Sequence, residues 1–108
     1  MHLKAKMIVD SIRWSLERQG IPVYIEHKGD GNAGAIFIAH DKGLGLYDVY
    51  HRVFDYTKGK RIKYLDTFTE EKLKEFFKKQ IDIDADLWFI EIVSKEVDLT
   101  DLFLKQGL

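Results

Sequence analysis

The 108-residue chain has no cysteine and a single proline. Without thiols there are no disulfides, no thiolate metal sites and no thiol nucleophile, a composition that suits a reducing cytoplasm. One proline and eight glycines exclude a collagenous, proline-rich or low-complexity chain. No apolar run approaches the ~20 residues that span a bilayer, so no membrane partner is expected. The opening residues Met1-His2-Leu3-Lys4-Ala5-Lys6 lack the apolar core and small-residue cleavage site of a signal peptide. Neither basic nor acidic residues are in excess. A net charge of −1 with 32% charged residues fits neither disorder nor a generally basic nucleic-acid binder. The 45% apolar content is enough to build one core, and the expectation is one cytoplasmic domain over residues 1–108.

The chain opens with a helical pattern. Ile8, Ile12 and Leu16 recur at i, i+4 and i+8, and Leu3, Met7 and Trp14 form a second apolar row beside them. Lys6 and Asp10, like Arg13 and Glu17, form opposite-sign pairs at i, i+4 on the other side. Gly20 and Pro22 mark the end. The apolar arc exceeds half the circumference, so this helix is expected to be covered by its own sheet and by something else.

Four strand-like runs follow, beginning at Ile21, Ala35, Leu44 and Lys60, and separated by glycine-bearing turns. Short strands joined in this way predict an antiparallel meander. A second helix is marked by Thr69 as N-cap, by Phe68 and Leu73 in hydrophobic-staple positions, and by Glu70 and Glu71 in the first turn. Asp82 to Asp86 interrupts it. Leu87-Trp88-Phe89-Ile90-Glu91-Ile92-Val93 is the strongest strand, apolar on both faces and therefore central. Residues 98–104 predict a short closing helix. The expected fold class is α+β, in the order α-β-β-β-β-α-β-α. It is an antiparallel sheet of about five strands with the two main helices on one face.

Several motifs fail on inspection. Gly29-Asp30-Gly31-Asn32-Ala33-Gly34 matches G-x-G-x-x-G, but dinucleotide binding needs a helix to start at the third glycine, aiming its amides at the pyrophosphate. Residues 35–39 read as a strand, so the segment is expected to be a hairpin turn whose glycines supply positive φ. Asp82-Ile83-Asp84-Ala85-Asp86 resembles the start of a calcium loop. The required glycine and bidentate glutamate are replaced by Leu87 and Val93. His27, His40 and His51 fall near strand ends, with no short-spaced pair to suggest a metal. No serine lies in a nucleophile-elbow context. No cofactor is implied and an enzyme is not supported.

The surface offers three candidates. The wide arc of the first helix, through Leu3, Met7 and Trp14, suits a protein partner or a homodimer, and a non-enzymatic binding module is the leading expectation. Between Tyr50 and Tyr64 the bases Arg52, Lys58, Lys60, Arg61 and Lys63 face one acid, interleaved with aromatics. That combination suits single-stranded nucleic acid and is the alternative. A small-ligand site requires Lys28, Asp30, Asp86 and Trp88 to converge.

Four patches of this layout carry a resemblance. They are Leu3-Lys4, Gly20-Ile21-Pro22, Lys28-Gly29-Asp30 with Ala33-Gly34-Ala35, and Asp84-Ala85-Asp86-Leu87-Trp88 with Glu91 beyond. Together they resemble a family of small alphaproteobacterial proteins known as domain of unknown function family 1491. Ala85 departs from that family's usual proline, and Tyr47-Asp48-Val49-Tyr50 lacks its proline-containing segment. The resemblance implies kinship and a bacterial cytoplasmic setting, with no activity to carry over.

Overall fold

A computed structural model describes residues 4–32, 34–57 and 59–108. The elements follow the expected order: α1 (Ala5–Glu17), β1 (Val23–His27), β2 (Ile36–Asp41), β3 (Leu46–Asp55), β4 (Gly59–Thr69), α2 (Glu70–Ile83), β5 (Trp88–Val93) and α3 (Leu99–Lys105). The five strands form one mixed sheet in the order β1-β5-β2-β3-β4, mostly antiparallel, with β2 and β5 running parallel. Both of these strands are apolar on two sides, which suits interior positions buried by helices above and below. Among the described residues no helix is long and apolar enough to cross a membrane.

Two local expectations are corrected. The main helices do not share a face. α1 and α3 pack Ile8, Ile12, Leu16, Leu99 and Phe103 against Ile38, Ile90, Ile92 and Ile62 on one side of the sheet. α2 packs Leu73 and Phe77 against Phe37, Ala39 and Val49 on the other. Alternation along β2 sends Ile36 and Ile38 to the first side and Phe37 and Ala39 to the second, so neither face can be left to water. The meander is also limited to β2-β3-β4. β1 pairs with β5, not with β2, so the glycine segment is not a hairpin turn. It arches across the width of β5, a span of about twice 4.8 Å.

Element ends follow local chemistry. Gly20 takes φ 77° after α1, and the Ile21 N–H closes back on the Leu16 carbonyl at 3.0 Å. Thr69 Oγ1 accepts from the Lys72 N–H at 3.3 Å, the expected cap of α2. This helix runs through Ile83, past the predicted break at Asp82, because the Asp84 N–H still reaches the Gln80 carbonyl at 2.8 Å. β3 is long because it keeps pairing with β4 as far as Asp55 opposite Gly59. Asp98 caps α3 by accepting from the Asp101 N–H at 3.0 Å.

Candidate functional site

α1 carries more apolar surface than its own fold covers. Ala5, Ile8, Val9, Ile12 and Leu16 are buried, whereas Met7 is 54% and Trp14 63% exposed. They stand seven positions apart, which places them two turns apart on one side of the helix. Ser11 lies between them, and Arg18 brings its guanidinium carbon to 4.1 Å from the Trp14 ring centroid. The pairs Lys6–Asp10 (2.6 Å) and Arg13–Glu17 (3.3 Å) form as expected. Ile25 of β1 is half-exposed on the same side of the sheet. Leu3, the third residue expected on this surface, lies outside the described residues.

The glycine segment and the lead-in to β5 form a clasp. The Asp30 N–H donates to the Asp86 carbonyl at 2.9 Å, and the Trp88 N–H donates to the Ala35 carbonyl at 2.6 Å. The Trp88 indole, buried to 2% exposure, donates Nε1–H to the Asp30 carbonyl at 2.7 Å. His27 Nδ1 donates to the Leu87 carbonyl at 2.8 Å. Asp30 and Asp84 also turn the chain locally, accepting from the Asn32 and Asp86 N–H groups at 2.7 and 3.0 Å. The expected role of positive φ is overturned: Gly29 and Gly34 are absent from the positive-φ glycines. They are required by close approach, because a Cβ on Gly29 would lie 2.2 Å, and one on Gly34 2.1 Å, from the Asp86 carbonyl oxygen. Asp30, Asp86 and Trp88 thus meet through backbone and indole, while the Lys28 side chain is exposed beside them.

Two of the four patches that carry the family likeness, Lys28-Gly29-Asp30 with Gly34-Ala35 and Asp84 to Trp88, therefore meet in one clasp, while Leu3 and Ala33 lie outside the described residues. A family model described as a protein of unknown function (DUF1491) matches residues 3–100. The chain belongs to the DUF1491 family. The DUF1491 fold is seen in a crystal structure of a family protein from Caulobacter crescentus CB15, 22% identical, covering 89% of this chain and 90% of that one, with a TM-score of 0.74. A solution structure of a protein from A. tumefaciens is 24% identical, covers 90% of each chain and has a TM-score of 0.75. A further Caulobacter crescentus CB15 member, solved by NMR, is 23% identical, covers 89% of each chain and has a TM-score of 0.73. At these identities the likeness is one of fold. No curated protein matches the sequence.

In this DUF1491 chain the basic segment does not gather into one stripe. Ile62 belongs to the core beneath α1 and α3, so Lys60, two residues before it on β4, and Arg52, the cross-strand partner of Ile62 on β3, lie towards that side of the sheet. Arg61 and Lys63 alternate with Lys60 and Ile62 along β4, and from this edge strand they border a slot beside α3. Lys58 lies outside the described residues. The three strand histidines are engaged separately: His27 in the clasp, His51 stacked on Phe37 at 6.1 Å between centroids, and His40 deep in the sheet. His40 donates Nε2–H to the Ser94 carbonyl at 2.8 Å, and burial holds its pKa below the ordinary histidine value.

One feature of the DUF1491 structure was not flagged by sequence. A cleft of about 230 Å³ opens beside α2, lined by Glu26, Tyr47, Glu70, Lys74, Phe89 and Glu91 among others. Burial, and then the neighbouring Glu26 carboxylate, push the Glu91 carboxyl above its usual range. Burial and nearby carboxylates raise Tyr47 as well. The signal was the lone glutamate in an otherwise apolar strand, which needed the β1–β5 pairing to acquire a partner.

Proposed function

We propose that this DUF1491 protein is a non-enzymatic binding module that associates with a second copy of itself through the outer side of α1. The observation that carries the reading is Trp14, 63% exposed on a helix whose opposite side fills the core. Single exposed apolar residues are ordinary, but a tryptophan with a methionine two turns away forms a patch that gains by being covered. The spacing is self-complementary. An antiparallel pairing about a two-fold axis beside Asp10 and Ser11 puts Met7 of one copy on Trp14 of the other, a favourable sulfur–aromatic contact. The same pairing sets Lys4 opposite Glu17, and the small Ser11 at the axis permits close approach.

Magnitude decides how firm such a contact is. Covering both residues in both copies removes roughly 540 Å² of apolar surface, taking side-chain areas of about 200–250 Å². Stable interfaces bury ~1,200–2,000 Å², so the association is weak and reversible, populated at high protein concentration. Sedimentation velocity from micromolar to millimolar protein tests it. The expected result is a rising dimer fraction that Trp14→Ala abolishes. Because Trp14 is outside the core, that variant changes unfolding free energy by no more than ~0.5 kcal/mol. A chain that stays monomeric throughout, or dimerises equally with Trp14→Ala, ends the reading.

A further inference from the structure

A second cleft, of about 280 Å³, runs along the outer edge of β4, between that strand and α3. Its walls are largely apolar. Tyr50 meets Phe103 and Tyr64 edge to face at 5.7 and 5.9 Å between centroids, and Ile62, Leu104 and Leu108 complete the slot. The Ile62 N–H donates to the Leu108 carbonyl at 2.7 Å, so the last residue is tied to the strand edge. Into this apolar setting the sequence places Arg61 and Lys63, both of which line the cleft. Arg61 is only partly exposed, and its Nε is buried with no hydrogen-bond acceptor among the described residues. Its Nη1 is held beside Gly107, 3.8 Å from where a Cβ would stand there.

An N–H donor buried without an acceptor is unusual, because the lost hydration is not repaid. The Arg61 guanidinium borders the apolar slot as a cation whose donors are not all satisfied among the described residues, which makes it the end at which an anion is received. We infer that the β4–α3 cleft binds a small amphiphilic carboxylate, with the carboxylate on Arg61 and the hydrocarbon between Tyr50, Phe103 and Leu104. The volume falls just below the ~300–1,000 Å³ of drug-sized pockets, so the ligand is small, in the class of a medium-chain fatty acid. A nucleotide is too large and too polar for these walls. This site is on a different element from the α1 surface, and either can fail without the other.

Octanoate serves as the probe, with octan-1-ol to isolate the tail and acetate to isolate the charge. Titration of the full chain, followed by backbone amide shifts and calorimetry, is expected to move Ile62, Tyr64 and Phe103 with octanoate. Octan-1-ol is expected to bind at least ~tenfold more weakly and acetate not at all, since a hydrogen bond to a charged group is worth about that factor or more. Arg61→Gln should cost octanoate the same factor and leave octan-1-ol unchanged. Leu104→Trp, at an exposed position on the cleft wall, should block both ligands while keeping the fold, which covers the case in which Arg61→Gln does not fold. The inference is overturned if octanoate leaves those amides unmoved, if it binds no better than octan-1-ol, or if Leu104→Trp leaves its affinity intact.

Discussion

Trp88→Phe tests the clasp at its indole hydrogen bond. The indole is 2% exposed and donates to the Asp30 carbonyl at 2.7 Å. A phenyl ring cannot donate. The carbonyl of Asp30 loses that bond, at a cost of ~1–3 kcal/mol. The ring also loses ~38 Å³, and at ~24 cal/mol per Å³ of cavity this adds about 1 kcal/mol. The expected total is therefore ~2–4 kcal/mol, out of the ~5–15 kcal/mol typical of a domain this size. Urea unfolding followed by circular dichroism should show a lower midpoint with an unchanged slope. The two tryptophans allow a direct check. In a Trp14→Phe background all indole emission comes from Trp88, and it should be blue-shifted in the folded chain and move red in one step on unfolding. A stability loss under ~0.5 kcal/mol, the range of surface substitutions, would refute the role assigned to the clasp.

Gly34→Ala puts a methyl 2.1 Å from the Asp86 carbonyl oxygen, so the loop or the lead-in to β5 must shift. The expected loss on thermal melting exceeds that of Gly45→Ala, where open space surrounds the Cβ position and only the positive φ is strained. Glu91→Gln removes a carboxyl whose folded pKa is raised by burial and by Glu26. In the wild type, stability from this group is present below the ordinary glutamate value and lost as pH rises through the folded one. The variant should therefore be the more stable at neutral pH, with the advantage vanishing at low pH in melts across that window. His40 behaves in the opposite direction. Its folded pKa is depressed by burial, so its contribution is intact above 6.5 and lost as pH falls through the folded value. His40→Gln should flatten that part of the acid limb; an unchanged limb would assign it to other groups, Asp48 with its Lys42 and Thr67 hydrogen bonds among them.

What was legible in the sequence was local. Thr69, Asp98 and Gly20 end or begin helices through atoms within a few residues of themselves. The i, i+4 pairs on α1 and the two-faced apolar content of β2 and β5 are likewise properties of short stretches. The glycine run, expected to be a hairpin turn, instead crosses β5, although the segment after it is extended from Ile36 as its residues predict. Its glycines were assigned the wrong reason, because the need at Gly29 and Gly34 comes from the Asp86 carbonyl, more than fifty residues away in the chain.

By itself, then, the order of helices and strands, the wide apolar arc of α1 through Met7 and Trp14 and the membership in a family were determined by the sequence, since each rests on near-neighbour chemistry or on the string of residues. Only the tertiary structure decided that β5 slides between β1 and β2, that α2 takes the face opposite α1, and that Glu26 meets Glu91. It also decided that Arg61 and Lys63 border an apolar slot instead of a basic stripe. Strand order has no local signature: a strand apolar on both sides satisfies its backbone and buries its side chains beside any suitable neighbour. Which neighbour it takes is settled by the whole sheet at once.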